Sequence, residues 1–103
     1  MIVRIWTAET TEEKAEDYRR HFQDSVLPEL RTIDGFKGAS LLERIHRGRV
    51  EFVVTTRWDS LDAIRAFAGQ QHEYAVVEEP ARAALERYDE KVKHYVLVTE
   101  VDR

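Results

Sequence analysis

Residues 50–58 run Val-Glu-Phe-Val-Val-Thr-Thr-Arg-Trp and form the clearest element in the chain. Val50, Phe52, Val54, Thr56 and Trp58 fall on one face of a strand, and Glu51, Val53, Thr55 and Arg57 on the other. Immediately upstream, Arg47-Gly48 supplies the flexible residue of a tight turn, so Phe36 to His46 is predicted to be the strand that hairpins onto it. Downstream, Asp59 or Ser60 caps a short helix from Leu61 to Ala68, which Gly69 closes. Strand, hairpin and helix in that order make up half of a split βαβ unit.

The rest of the chain completes the pattern. Ile2 to Ala8 is rich in β-branched and aromatic residues and is predicted to be the first strand. Thr10 and Glu13 have the spacing of a capping box. Behind it Ala15, Tyr18, Phe22, Val26, Leu30 and Ile33 recur at three- and four-residue steps, which predicts a helix ending at Asp34-Gly35. Pro28 lies inside that stripe, where the missing amide predicts a kink or a fresh helical turn. Pro80 opens a further helix carrying Ala81, Ala84, Leu85 and Tyr88, and Val92 to Val101 is predicted to be the last strand. The order β-α-β-β-α-α-β makes the fold class α+β: a ferredoxin-like plait with an antiparallel sheet, one domain over residues 1–103.

Composition narrows the chemistry. Sixteen Lys and Arg against twenty Asp and Glu leave a net charge of −4, which argues against nucleic acid or an anionic membrane as partner. The longest apolar runs are Tyr74 to Val77 and Tyr95 to Val98, far too short to span a bilayer. With no cysteine, disulfides, thiol catalysis and thiolate metal sites are excluded. Met1 to Trp6 has no basic, then long apolar, leader, so a cytoplasmic location is expected. His72-Glu73-Tyr74-Ala75-Val76 has Val76 where a zincin has its second ligand, and the four histidines are too widely spaced for a local metal clip. No Gly-rich phosphate loop is present.

Helices cover one face of such a sheet. With Val3, Ile5 and Thr7 turned toward them, Ile2, Arg4, Trp6 and Ala8 point outward beside an apolar last strand. That second face calls for a cover, and a second copy of the chain is the simplest one, which predicts a homodimer.

Several stretches resemble the antibiotic-biosynthesis-monooxygenase type of dimeric α/β barrel. They are Val26-Leu27-Pro28-Glu29-Leu30, Gly35-Phe36-Lys37-Gly38, the long run Trp58 to Gly69, Tyr88-Asp89, and His94-Tyr95. The resemblance covers about residues 1–100 and implies two plaits paired sheet to sheet, each with a pocket between sheet and helices. It also implies a choice of activities. Some members oxidise quinols or anthrones with O₂ and no cofactor, and others bind and break haem. The haem-degrading pattern of Asn, Trp and His falls on Thr7, Phe67 and Val77, and all three differ, which disfavours haem.

The resemblance therefore implies a cofactor-independent monooxygenase acting on a small aromatic or quinol-type molecule. The alternatives are a non-catalytic dimer that binds a small apolar ligand and, less favoured, a haem-binding or haem-degrading protein that uses His72 or another histidine. His72, just after the Gly69 stop, and His21 are the candidate bases. Tyr18, His21 and Ser25 share one flank of the first helix. Together with Thr7, Phe22, Phe67 and Val77 they are the expected pocket residues. A half-exposed helix flank and a surface-loop histidine would give the same pattern.

Overall fold

The computed structural model describes residues 1–103. Its elements are β1 (Ile2–Thr11), α1 (Glu12–His21), a π-helical turn (Phe22–Val26), α2 (Leu27–Leu30), β2 (Phe36–His46) and β3 (Arg49–Trp58). They are followed by α3 (Leu61–Ala68), α4 (Glu79–Ala84), β4 (Arg87–Tyr88) and β5 (Lys93–Val96). All pairings are antiparallel, in the order β2-β3-β1, with β4 and β5 sharing the far side of β1. This is the ferredoxin-like plait, with its helices on one face of the sheet.

Where the local signal is strong, the elements follow it. Arg47 and Gly48 both have positive φ, at 53° and 76°, as a two-residue hairpin turn with matched twist requires. Ser60 caps α3 by accepting from the Ala63 amide, and Gly69 ends it at φ 85°. Pro28 has no amide to give Asp24. The backbone widens ahead of it into the π-turn, where the Leu27 amide reaches back to the Phe22 carbonyl, and Pro28 then sits in the first turn of α2.

Four expectations are corrected. The helix cap is Thr11, whose hydroxyl accepts from the Lys14 amide. Thr10 belongs to β1, which runs three residues past Ala8, and its buried hydroxyl donates to the Ala84 carbonyl at 2.7 Å. The helix opened by Pro80 stops at Ala84, and Arg87–Tyr88 pairs with Ala8–Glu9 instead of extending it. The last strand is only Lys93–Val96. β1 begins at Ile2, so nothing remains to pair with residues beyond Leu97, and Val98 and Val101 are almost fully exposed.

The fourth correction concerns the faces of β1. Trp6 lies opposite Val54, Ala8 opposite Phe52 and Thr10 opposite Val50. This register puts Ile2, Arg4, Trp6, Ala8 and Thr10 on the helix side and Val3, Ile5 and Thr7 on the outer side, the reverse of the expected assignment. Beneath the helices lie two buried clusters. One gathers Ala8, Tyr18, Phe22, Val50, Phe52 and Leu85 with the small faces of α1 and α4, and the other joins Leu30, Trp58, Ala63 and Ile64. Val26 and Leu27 pack against both.

Candidate functional site

A cavity of about 70 Å³ lies where the two clusters meet. Its floor is the helix face of the sheet: Arg4 and Trp6 from β1, Val54 and Thr56 from β3. Tyr18, His21, Phe22 and Val26 wall one side because they share the buried stripe of the first helix, and Phe67 of α3 contributes from the other. Ala75, Val76 and Glu78 close it from the segment Gln70–Glu78, which crosses the opening as a strap.

The strap is tied down in two places. Residues 89–92 leave β1 between β4 and β5, and there the Ala75 amide donates to the Glu90 carbonyl and the Val92 amide to the Glu73 carbonyl. The second tie is the Arg4 side chain. Its Nη1 donates to the His72 carbonyl and to His94 Nε2, and its Nη2 donates to the Tyr74 carbonyl at 3.0 Å. The guanidinium also lies over the Phe67 ring, 5.8 Å from its centroid. Burial pulls the Arg4 pKa down to about 10, so the group remains a cation at neutral pH.

The expected pocket residues separate into two groups. Tyr18, His21, Phe22 and Phe67 line the cavity together. Thr7 is on the outer face, where its hydroxyl donates to the Asp89 carboxylate. Ser25 borders an open, polar groove between the first helix and α4. Val77 packs on the first cluster and borders a surface depression with Tyr74 and Tyr88. His72 contributes its carbonyl to Arg4, while its ring lies outside the lining, 3.2 Å from the Gln70 carbonyl and 5.5 Å from the His94 ring. The β1 face assignment accounts for Thr7, since reversing that strand moves it across the sheet.

His21 occupies a distinctive place. It is buried, borders the cavity on one side and the open groove on the other, and has its Nε2 3.8 Å from the Glu78 carboxylate. Burial pushes the Tyr18 phenol well above its ordinary pKa, so it is a fixed hydroxyl rather than a base. The Trp6 indole N–H is held by the Asp89 carbonyl at 2.7 Å, which fixes the ring that floors the cavity. Arg4 and His94 are the residues that sequence reasoning missed. The available signal was a single charge among Ile2, Trp6 and Ala8, visible only once that face is known to be the inner one.

The family model for antibiotic biosynthesis monooxygenase matches residues 1–79, and the chain belongs to that family. Solved structures with the same fold include SnoaB, a cofactor-independent oxygenase from Streptomyces nogalater. It is 15% identical with a TM-score of 0.68, over 99% of this chain and 98% of that one. The monooxygenase from the gene ActVA-Orf6 of Streptomyces coelicolor, in complex with nanaomycin D, is 15% identical with a TM-score of 0.57, over 99% and 89%. A variant of MhuD with two manganese protoporphyrin IX per active site is 22% identical with a TM-score of 0.70, over the whole of both chains. At these identities the likeness carries the fold alone. No curated protein matches the chain.

The lining does not suit a haem iron: its single imidazole, His21, has its Nε2 3.8 Å from the Glu78 carboxylate.

Proposed function

We propose that the chain is a cofactor-independent oxygenase that oxidises a small aromatic, quinol-type substrate in this cavity, with His21 as the base. The observation that carries the reading is the position of His21. A buried imidazole in an apolar cavity takes a phenolic or activated C–H proton, and its other side faces an open groove into which the proton passes on. Trp6, Phe22 and Phe67 hold the ring and exclude water, Tyr18 offers a hydroxyl, and the deprotonated substrate is electron-rich enough to react with O₂ directly. At about 70 Å³ the cavity is roughly half the ~150 Å³ that admits benzene, so substrate entry moves the strap outward.

The working unit in this reading is a homodimer paired through the outer face of the sheet. Val3, Ile5, Val53, Leu42 and Tyr95 share that face, and Leu42 and Tyr95 are 54% and 50% exposed in the protomer.

Oxygen consumption and product formation with an anthrone such as 1,8-dihydroxy-9-anthrone test the enzyme reading. Enzyme-dependent uptake of O₂ with conversion to the anthraquinone is the expected result. Tight binding of the anthrone with no uptake above the uncatalysed rate would contradict it and leave a ligand-binding protein.

A further inference from the structure

Arg4 is a buried cation with no counter-ion. It is 5% exposed and takes part in none of the chain's eleven ion pairs. Two carbonyls and a neutral imidazole nitrogen partly replace water around it, but none brings a negative charge. Such a charge is costly to bury, and removing an anionic partner or never having one leaves the site under-compensated. Its Nε has no protein partner. Since no fully buried side-chain nitrogen or oxygen lacks one, Nε keeps access to the space beside it.

The surrounding acids do not meet this need. Glu78 stands at the rim beside His21 and is half exposed. Glu73 acts on His94 only through its field. The Phe67 ring lies beside the guanidinium, 5.8 Å away at its centroid, and Trp6, Phe22 and Val54 line the same cavity. A lone cation at one end of an aromatic-lined cavity is a recognition site for an aromatic anion.

We propose that the cavity takes an aromatic carboxylate, with the carboxylate on the Arg4 guanidinium and the ring against Trp6 and Phe67. A carboxylate accepts two parallel, charge-assisted hydrogen bonds from guanidinium and displaces neutral carbonyls from it. The bonds it takes over are those now given to the His72 and Tyr74 carbonyls. One tie of the strap is thereby released, which makes room for a ring the closed cavity does not hold. Arg4 then adds affinity for an aromatic ligand that carries a carboxylate, without excluding a neutral ring from the cavity. The inference rests on the cavity being the ligand site, and it holds whether or not the bound molecule is turned over.

The test is calorimetric titration of the intact protein with 2-naphthoate and with its neutral counterpart, 2-naphthalenemethanol. Naphthoate is expected to bind at least about tenfold more tightly, the scale of a charge-assisted pair over a neutral one. That preference is expected to vanish in Arg4→Gln and persist in Arg4→Lys. Equal affinity of the two probes for the wild-type protein would overturn the role of Arg4 and leave the cavity as ligand site. Failure of both probes to bind would overturn the cavity reading itself. A naphthoate preference that survives in Arg4→Gln would also overturn the proposal, and the wild-type comparison decides it even if that variant does not fold.

Discussion

Arg4 Nη1 lies 3.0 Å from His94 Nε2, and this contact fixes the state of the histidine. A guanidinium nitrogen only donates, so Nε2 is the acceptor and the ring is neutral, with its proton on Nδ1. His94 cannot take up a second proton without losing the bond and placing a cation against Arg4. Its pKa is accordingly depressed, first by burial and then by the charges of Arg4 and His72.

That depression makes stability depend on pH in a definite direction. The folded pKa lies below the ordinary value of 6.5, so the unfolded chain takes up this proton first as pH falls. The contribution is complete above that value and is lost as pH drops through the folded pKa. His94→Gln retains an acceptor and removes the titration. Denaturant midpoints measured from about pH 8 to pH 5 are expected to fall more steeply for the wild-type protein than for the variant. Parallel profiles would contradict the assignment.

Gly35 and Gly38 are expected to respond differently to the same substitution. Gly35 has φ +91°, and a Cβ there would lie 2.6 Å from the Ala63 Cβ, where neither backbone can yield. Gly35→Ala is expected to cost about 2–4 kcal/mol in urea unfolding, combining an unfavourable φ with overpacking. At Gly38 the obstruction is the guanidinium end of Arg57, which swings aside, so Gly38→Ala is expected to cost under about 1 kcal/mol.

The two threonines at the start of the first helix separate in the same experiment. Thr11→Ala removes a cap and is expected to cost about 1 kcal/mol. Thr10→Val removes a buried donor and leaves the Ala84 carbonyl without it, at about 1–3 kcal/mol. If Thr10 were the cap, Thr11→Ala would cost almost nothing and Thr10→Val only the ~1 kcal/mol of a lost cap, which Thr10→Ser would restore in full. The structure predicts instead that Thr10→Ser recovers only the hydrogen bond and leaves a small packing loss.

The outer sheet face is tested by Leu42→Glu. Leu42 is more than half exposed in the protomer, so the change is tolerated by the fold and unfavourable only in a sheet-to-sheet pair. Sedimentation of the wild-type chain as a dimer and of the variant as a monomer is expected. A wild-type monomer would contradict the proposed assembly.

How much of this was legible in the sequence depended on where its pattern was unambiguous. β3 alternates strongly, with Phe52, Val54 and Trp58 on one side and Glu51 and Arg57 on the other, and its hairpin, turn and following helix all stand as predicted. β1 has apolar residues on both sides, Val3 and Ile5 against Ile2 and Trp6, so its own alternation does not choose a face. Pairing with β3 makes the choice, and pairing is a tertiary fact. That one ambiguity removed Thr7 from the expected pocket and hid Arg4. Tyr88 followed the helical spacing of Ala81 and Ala84, yet the Arg87 bond to Glu9 and the vacant edge of β1 make it a strand residue. His21 was visible because it shares a helix flank with Tyr18, whereas the His72 ring is displaced by the strap's own backbone bonds.

The central claim is that His21, inside the cavity, is the group that takes the substrate proton, and that the His72 ring, outside it, is not. The most direct measurement is the initial rate of O₂ uptake on 1,8-dihydroxy-9-anthrone by the wild-type protein, His21→Gln and His72→Gln. The account predicts a loss of at least about 100-fold in kcat for His21→Gln, the scale of general-base catalysis, and a rate within about threefold of wild type for His72→Gln. A wild-type rate in His21→Gln, or the large loss in His72→Gln, would contradict it.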